Sequence, residues 1–211
     1  MNRILIDEYE KRLIDIKGII EITQEDSHIH LDGNNQILGI IMNEFRKLTF
    51  DIESDANLKM NVFWDTPPKE LDLSINIQNN AKFQSHFNIA VKNDFHFNYQ
   101  NNLLGNDSIS KTTIHVVTEE NATCKIRTTG YIKKDTTNNE FLEELKGITS
   151  NISSITFLPD LIVDSDSVVA NHNASIKYID EEELFYLKSK GLDEKKAKKL
   201  IKTGFLRQGG E

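Results

Sequence analysis

The sequence predicts a mainly β protein: a parallel β-solenoid core with a helix before it and a helical hairpin after it. Three observations support this fold class. Short runs of alternating apolar and polar residues fill the middle of the chain, asparagines recur where those runs end, and helical periodicity is confined to the two termini. Alternation alone would also fit a β-sandwich or a jelly roll, whereas the asparagine corners and the absence of Asn-Gly hairpins favour a solenoid.

The first segment, residues 1–18, is predicted to be an amphipathic helix. Ile6, Tyr9, Leu13 and Ile16 recur at helical spacing with charged residues between them, and Gly18 is a suitable terminator.

The predicted β core spans residues 19–178. Asparagine tolerates the left-handed backbone that solenoid corners require. Asparagines at strand ends include Asn79, Asn80, Asn93, Asn101, Asn102, Asn106 and Asn121. Residues 136–147 interrupt the alternation, and we interpret them as a loop excursion with a short helical turn closed by Gly147.

The last segment, residues 179–211, is predicted to form two helices. Asp180 is a good N-cap with Glu183 completing a capping box, and this helix runs to Gly191. Asp193 caps the second helix, which is expected to end at Gly204. A solenoid has exposed rungs at both ends, so we expect the terminal helices to cap them.

Composition excludes several classes of protein. The chain has 211 residues and a formal net charge of -8, which provides no basic field for nucleic acid. Cys124 is the only cysteine, so neither an intrachain disulfide nor a zinc ribbon is expected, and its phase with Ile126 predicts a buried side chain. No signal peptide or membrane span is recognised, which predicts a cytoplasmic protein without a membrane partner.

Histidines are the main candidates for chemistry. His28 and His30 form an H-x-H pair on one face of a strand, as in cupin-type metal sites, but the sequence shows no evident third ligand. The other strand histidines are expected to face solvent: His86, His96 and His115.

His172 differs from the others because it stands between Asn171 and Asn173, at the corner that ends the last predicted strand. Such a histidine can ligate a metal through one ring nitrogen while a neighbour orients the other. It can equally serve to hydrogen-bond the corner closed.

The segment around His172 resembles the C-terminal signature of the SufB/SufD family of iron–sulfur cluster assembly proteins. The matching text is Pro159-Asp160-Leu161, Ser165-Asp166-Ser167-Val168, Asn171-His172-Asn173-Ala174-Ser175, Asp180, Leu184-Phe185-Tyr186-Leu187-x-Ser189-Lys190-Gly191 and Gly204-Phe205. Residues 108–111, 119–122 and 129–132 resemble the core rungs of the family more loosely.

The resemblance implies a right-handed parallel β-helix that pairs with a second subunit, either a copy of itself or a SufB-like homologue. It also implies C-terminal helices that dock a SufC-like ABC ATPase. A nascent iron–sulfur cluster would form transiently at the subunit interface, with His172 as an iron ligand and no tightly bound cofactor on this chain alone. Apolar candidates for docking the ATPase are Phe185, Tyr186, Leu187, Leu200, Ile201 and Phe205.

Two positions depart from the SufB pattern. Asn173 stands where SufB-type proteins carry a glutamate, and Ser153 stands where they carry the cluster cysteine. The chain therefore resembles the SufD-like supporting half, which retains a histidine and lacks a thiolate.

Three functional hypotheses follow. The first is a non-enzymatic scaffold subunit of a SUF-type assembly complex. The second is a small β-solenoid that binds a carbohydrate or another small ligand, with Trp64 and neighbouring aromatic residues as a platform. The third is a metalloenzyme that uses His28 and His30. Only the first accounts for the ordered C-terminal motif.

Overall fold

The computed structural model describes residues 2–42, 46–119, 121–150 and 152–208. Across these ranges the chain forms fifteen strands followed by two helices, and consecutive strands alternate between two sheets. The odd sheet contains β1 (Arg3–Ile6), β3 (Lys17–Ile22), β5 (Asn34–Ile41), β7 (Asn57–Trp64), β9 (Lys82–Val91), β11 (Ile109–Thr118), β13 (Thr137–Thr149) and β15 (Ser167–Tyr178). The even sheet contains β2 (Glu10–Ile14), β4 (Asp26–Asp32), β6 (Arg46–Ile52), β8 (Glu70–Ile77), β10 (Phe95–Leu103), β12 (Thr123–Ile132) and β14 (Ser154–Val163).

Each strand pairs in parallel with the strand two positions away in the sequence. The chain therefore winds as a parallel β-solenoid, with one strand in each sheet per turn. This arrangement confirms the predicted fold class. In strands such as β7 and β8, buried residues alternate with more exposed ones, because successive side chains of a strand point to opposite faces of the sheet.

The space between the sheets is filled by one continuous apolar core. It extends from Ile6 on β1 to Ile155 on β14. Rings pack closely in its middle, where Phe97 lies 6.0 Å from Trp64, 5.8 Å from Phe87 and 5.8 Å from Tyr99 between centroids. Aromatic side chains bury large areas, so this stack contributes strongly to the stability of the central turns.

The corners use left-handed backbone, as predicted, but of the seven asparagines named from the sequence only Asn80 and Asn121 adopt it, and Asn101 and Asn102 lie within β10. Every described non-glycine residue with positive φ is an asparagine or an aspartate: Asp15, Asp55, Asn80, Asp107, Asn121, Asp135 and Asn138. Successive corners also bond to each other, as when the Asn80 amide donates to Asp55 at 3.1 Å and the Asn138 amide donates to Asp107 at 3.1 Å. Aspartate shares this role with asparagine because both have short polar side chains that bond locally.

The N-terminal helix predicted for residues 1–18 is wrong. Residues 3–6 and 10–14 are the strands β1 and β2, and Gly18 lies inside β3 instead of ending a helix. β1 pairs in parallel with β3 from Arg3↔Ile19 to Ile6↔Ile22. The segment adopts extended backbone instead of a helix because extended backbone completes the sheet hydrogen bonds and buries Ile6 and Leu13 in the solenoid core.

The loop excursion predicted for residues 136–147 is also wrong. This stretch belongs to the long strand β13, which pairs with β11 on one side and with β15 on the other. Its inward positions Phe141, Glu143 and Leu145 are buried. A glutamate at an inward position obscured the alternation in the sequence.

The two helices are α1 (Glu181–Ser189) and α2 (Glu194–Arg207). Both N-caps are confirmed, since the Asp180 and Asp193 side chains accept backbone N–H groups of the first helical turn. Helix α2 continues through Gly204 to Arg207, beyond the end that the sequence predicted. Neither described helix is long and apolar enough to cross a bilayer.

The helices do not cap the solenoid end, contrary to expectation. Helix α2 lies on the outer face of the odd sheet, where Ile201, Phe205 and Leu206 cluster with Ala90, Val117 and Ile148. Those strand residues provide an apolar patch on the outside of β9, β11 and β13. An amphipathic helix buries more apolar area on such a patch than it would on the end of the solenoid, where polar and apolar side chains are mixed.

The position of α2 also shows that the predicted exposure of one histidine was wrong. His115 is buried, not solvent-facing, because the Phe205 ring packs 4.8 Å from its ring centroid. His86 on the neighbouring strand is half-buried, and burial lowers the pKa of both histidines. His96 is exposed as predicted.

Candidate functional site

The last turn of the solenoid, β14 and β15, is hereafter the terminal rung. Among the described strands, each of its members has a neighbour on one side only, so its other backbone edge is unpaired. From Asn171 to Tyr178 every residue of β15 is exposed, on both faces of the strand. The inward positions Ile176 and Tyr178, which would be core residues in any earlier turn, therefore face solvent.

His172 lies on this terminal rung. It occupies the middle of β15 rather than a corner after the last strand, so the corner-closing role weighed from the sequence does not apply. Its register partner on β13 is Glu143, and both residues occupy inward positions. His172 is exposed because no other described strand covers it. Its imidazole is thus available to a ligand or to a second protein.

Glu143 is a candidate site residue that sequence reasoning missed. Its side chain is buried, and one carboxylate oxygen accepts a 2.6 Å hydrogen bond from the Thr128 hydroxyl. The other oxygen, Oε1, is buried with no hydrogen-bond partner. Burial raises the pKa of Glu143 to about 7, against the opposing effect of the Thr128 bond. A carboxyl group with that pKa can gain or lose a proton near neutral pH.

Glu143 belongs to a group of buried polar side chains, hereafter the polar column. Its members are Ser85, Tyr99, Asn101, Ser110, Thr112, Thr128 and Glu143. Thr112 is central, since its hydroxyl lies 2.9 Å from Tyr99 Oη and accepts a 3.0 Å bond from Ser85. Thr112 is also the register partner of Glu143. The polar column therefore runs through the otherwise apolar interior and ends beneath His172.

The structure assigns no reactive thiol to this region. Cys124 is fully buried, as the sequence predicted, and burial raises its pKa to about 12. The thiolate, which is the metal-ligating form, is therefore strongly disfavoured. Ser153, at the position of the expected cysteine, bonds at 2.8 Å to the Thr118 hydroxyl and accepts from the Ser150 backbone at 3.0 Å.

The six docking candidates divide into two groups. Phe185, Tyr186 and Leu200 are exposed by 74%, 58% and 52% of their surface, so they form a free apolar surface on the helices. Ile201 and Phe205 lie on the buried face of α2, against the odd sheet, and half-buried Leu187 packs against the same cluster. Only the first group is available to a partner.

The aromatic residues that were predicted to form a platform for a carbohydrate do not lie on the surface. Trp64 is buried, and its indole N–H donates to the Ile40 carbonyl at 3.1 Å. Its neighbours Phe87 and Phe97 are core residues as well. The platform on which the ligand-binding hypothesis depended is therefore part of the core.

The model of one protein family matches residues 71–205. That family is described as the SUF system FeS cluster assembly, SufBD core domain. The chain belongs to this family. The match begins at β8 and ends in α2, so it includes the polar column, the terminal rung and both helices. It confirms the resemblance to SufB/SufD proteins. The strands β1–β7 lie outside it.

A curated relative supports the SufD side of the family. The chain is 42% identical over 48 residues to the iron–sulfur cluster assembly protein SufD of Bacillus subtilis strain 168. The matched stretch is 23% of this SufBD chain and 11% of the relative. The chain therefore spans only a small part of that protein in this match.

Proposed function

We propose that this SufBD-family chain is a non-enzymatic scaffold subunit of a SUF-type iron–sulfur cluster assembly complex. In this role it pairs with a second subunit through the terminal rung and docks a SufC-like ABC ATPase with its C-terminal helices. The observation that carries the proposal is the uncovered terminal rung, which ends the solenoid with unpaired backbone edges and exposed apolar residues.

The terminal rung has the features of a pairing surface. An unpaired strand edge readily hydrogen-bonds another strand, and proteins normally cover or block such edges. Here α2 covers the flank of the odd sheet and leaves the edge open. A partner strand would satisfy the free N–H and C=O groups and bury Ile176 and Tyr178.

The chemistry at this surface suits the cluster as a transient cargo. His172 provides an imidazole, which binds iron, but the described part of the chain provides no exposed thiolate. Iron–sulfur clusters are held mainly by cysteine thiolates, so a cysteine-bearing SufB-like partner is favoured over a second copy. Glu143 lies one strand behind His172, where its carboxyl group can accept a proton near neutral pH.

The helices support the second half of the proposal. No residue of α1 is buried, and a nine-residue helix has little stability by itself. Phe185 and Tyr186 nevertheless project from it into solvent. Large exposed apolar side chains of this kind are typical anchors of a protein interface.

The test is light-scattering chromatography of the full chain alone, with a SufB-like homologue and with the SufC-like ATPase of the same organism. We expect discrete complexes with both partners. Ile176→Lys places a charge on the terminal rung and should abolish subunit pairing while leaving the ATPase complex intact. Ile14→Lys is its control, since Ile14 is an exposed isoleucine near the opposite end of the solenoid.

The double variant Phe185→Ala with Tyr186→Ala should show the reverse pattern. Losing two interface anchors should weaken the ATPase complex by more than tenfold and leave pairing unchanged. Tyr9→Ala is the control, because Tyr9 is an exposed aromatic residue far along the chain from the helices. A chain that stays monomeric with every partner, or complexes that ignore both variants, would contradict the proposal.

A further inference from the structure

The outer face of the even sheet carries a cluster of histidines and carboxylates, hereafter the histidine cluster. It consists of His28, His30, Asp51, Glu53 and Glu10, and it lies on β2, β4 and the end of β6. All of these residues precede the part of the chain that matches the SufBD family. The cluster is separate from the terminal rung and from the helices.

The strand register explains why these side chains meet. His28 and His30 are two positions apart on β4, so both face outward, as the sequence predicted. Asp51 is the register partner of His30 on β6. This pairing provides the third ligand that was not evident from the sequence, because Asp51 is distant along the chain and adjacent only in the sheet.

The distances suit a metal ion. One ligand atom from each of His28, His30 and Asp51 lies within 4.8 Å of the others. Asp51 Oδ2 is 2.8 Å from His28 Nε2 and 3.6 Å from His30 Nδ1. Ligands of a tetrahedral ion with bonds of about 2.1 Å are roughly 3.4 Å apart. Small side-chain rotations would therefore bring the three atoms around one ion.

The carboxylate is held in place from behind. The Asn76 amide donates a 2.7 Å hydrogen bond to Asp51 Oδ1, which leaves Oδ2 directed at the histidines. Asn102 in turn donates a 2.9 Å bond to Asn76 Oδ1. Hydrogen bonds of this kind orient the carboxylate ligands of metal sites.

One ring nitrogen provides a second sign of a missing ligand. His30 Nε2 is shielded from solvent and makes no hydrogen bond, although Glu10 Oε1 lies 3.2 Å away. Its other nitrogen, Nδ1, lies 3.0 Å from Glu53 Oε1. Two further carboxylates thus flank the ring, and they concentrate negative charge where a cation would bind.

We propose that the histidine cluster binds one divalent first-row transition-metal ion through His28, His30 and Asp51. Glu53 is not part of this three-ligand group and pairs with the Arg12 guanidinium at 3.5 Å, so it acts as a flanking charge. Two imidazoles with carboxylates suit zinc, iron(II), cobalt(II) or nickel(II) better than calcium or magnesium, which prefer all-oxygen sites. The ion would join β4 to β6 and so tie adjacent turns of the solenoid together.

The test is calorimetric titration of the chelator-treated full chain with Zn²⁺, together with the visible absorption spectrum of the Co²⁺-loaded protein. We expect one ion per chain and a Co²⁺ spectrum typical of nitrogen and oxygen ligands. His28→Gln, His30→Gln and Asp51→Asn should each weaken Zn²⁺ binding by at least 100-fold. Asn76→Ala, which only frees the carboxylate, should weaken it by about 10- to 100-fold.

One histidine variant is a matched control. His96→Gln removes an exposed histidine from the outer face of the same sheet. It should leave the Zn²⁺ affinity unchanged, and circular dichroism would confirm that all variants are folded. Absence of Zn²⁺ binding, or binding that survives Asp51→Asn, would overturn the proposal without affecting the proposed scaffold function.

Discussion

At the scale of single residues, the most unusual group is the buried carboxyl of Glu143. Its Oε1 has no hydrogen-bond partner, and its charge would be costly in an apolar interior. The raised pKa means that the folded protein keeps a proton there under conditions in which the unfolded chain releases it. Glu143 should therefore make stability depend on pH.

The sign follows from the two pKa values. A glutamate in an unfolded chain has a pKa of about 4.3, whereas Glu143 in the folded protein has one of about 7. As pH rises through this window the unfolded state binds fewer protons than the folded state, so the free energy of unfolding falls. The loss should be complete about one pH unit above the folded pKa and should reach about 4 kcal/mol.

Glu143→Gln should remove this pH dependence because the amide stays neutral and can still bond to Thr128. Urea unfolding should give similar stabilities for the two proteins near pH 4.5 and a more stable variant at pH 8. Glu144→Gln is the control, since Glu144 faces outward and pairs with Lys146 at 2.8 Å. An unchanged pH dependence in Glu143→Gln would refute the interpretation.

Residue-scale prediction from sequence could single out a candidate where a motif was present, and it failed where burial decided. His172 was recognised from the sequence motif that surrounds it. Glu143 has no such signal, because a glutamate in a strand normally faces solvent. Asp51 was missed for a related reason: nothing in the sequence shows that β4 and β6 are neighbours.

At the scale of secondary-structure elements, strand β12 illustrates how closely the turns fit. Gly130 lies beneath the buried ring of Phe141 on β13, and an added Cβ would come within 2.5 Å of Phe141 Cζ. The ring is enclosed by core residues and cannot move away freely. The glycine is therefore needed for close approach between the two sheets.

Gly130→Ala should destabilise the protein by about 1–3 kcal/mol, since it overpacks a filled core. Gly204→Ala is a matched control in α2, where an added Cβ meets nothing within 4 Å. Alanine there should stabilise the protein by up to about 1 kcal/mol through its higher helix propensity. Thermal unfolding should shift in opposite directions for the two variants, and equal shifts would contradict this account.

Local patterns located the starts of the two helices but misassigned the N-terminal segment. The caps at Asp180 and Asp193 depend on neighbouring residues alone, so the sequence was sufficient to locate them. The spacing of Ile6 and Leu13 was compatible with a helix, yet these residues belong to short strands. Their state was decided by pairing with strands further along the chain, such as β1 with β3, which no local pattern reveals.

At the scale of the whole molecule, the fold class was predictable because the alternation repeats over many turns and the corners share one chemistry. The exposure of the terminal rung was not predictable. The rung stays uncovered because α2 packs elsewhere, on a patch that Ala90, Val117 and Ile148 form on the outside of three strands. Each of these residues looks like an ordinary strand residue in the sequence.

The stacked parallel register has a consequence for how the two ends can vary. In such a stack each turn contacts mainly the turns next to it, so free-energy contributions add as in a one-dimensional chain. The histidine cluster on β4 and β6 is separated from β14 by about four strand spacings, or roughly 20 Å, along the even sheet. Substitutions at the two ends should therefore be additive, and natural selection can modify the histidine cluster and the terminal rung as independent modules.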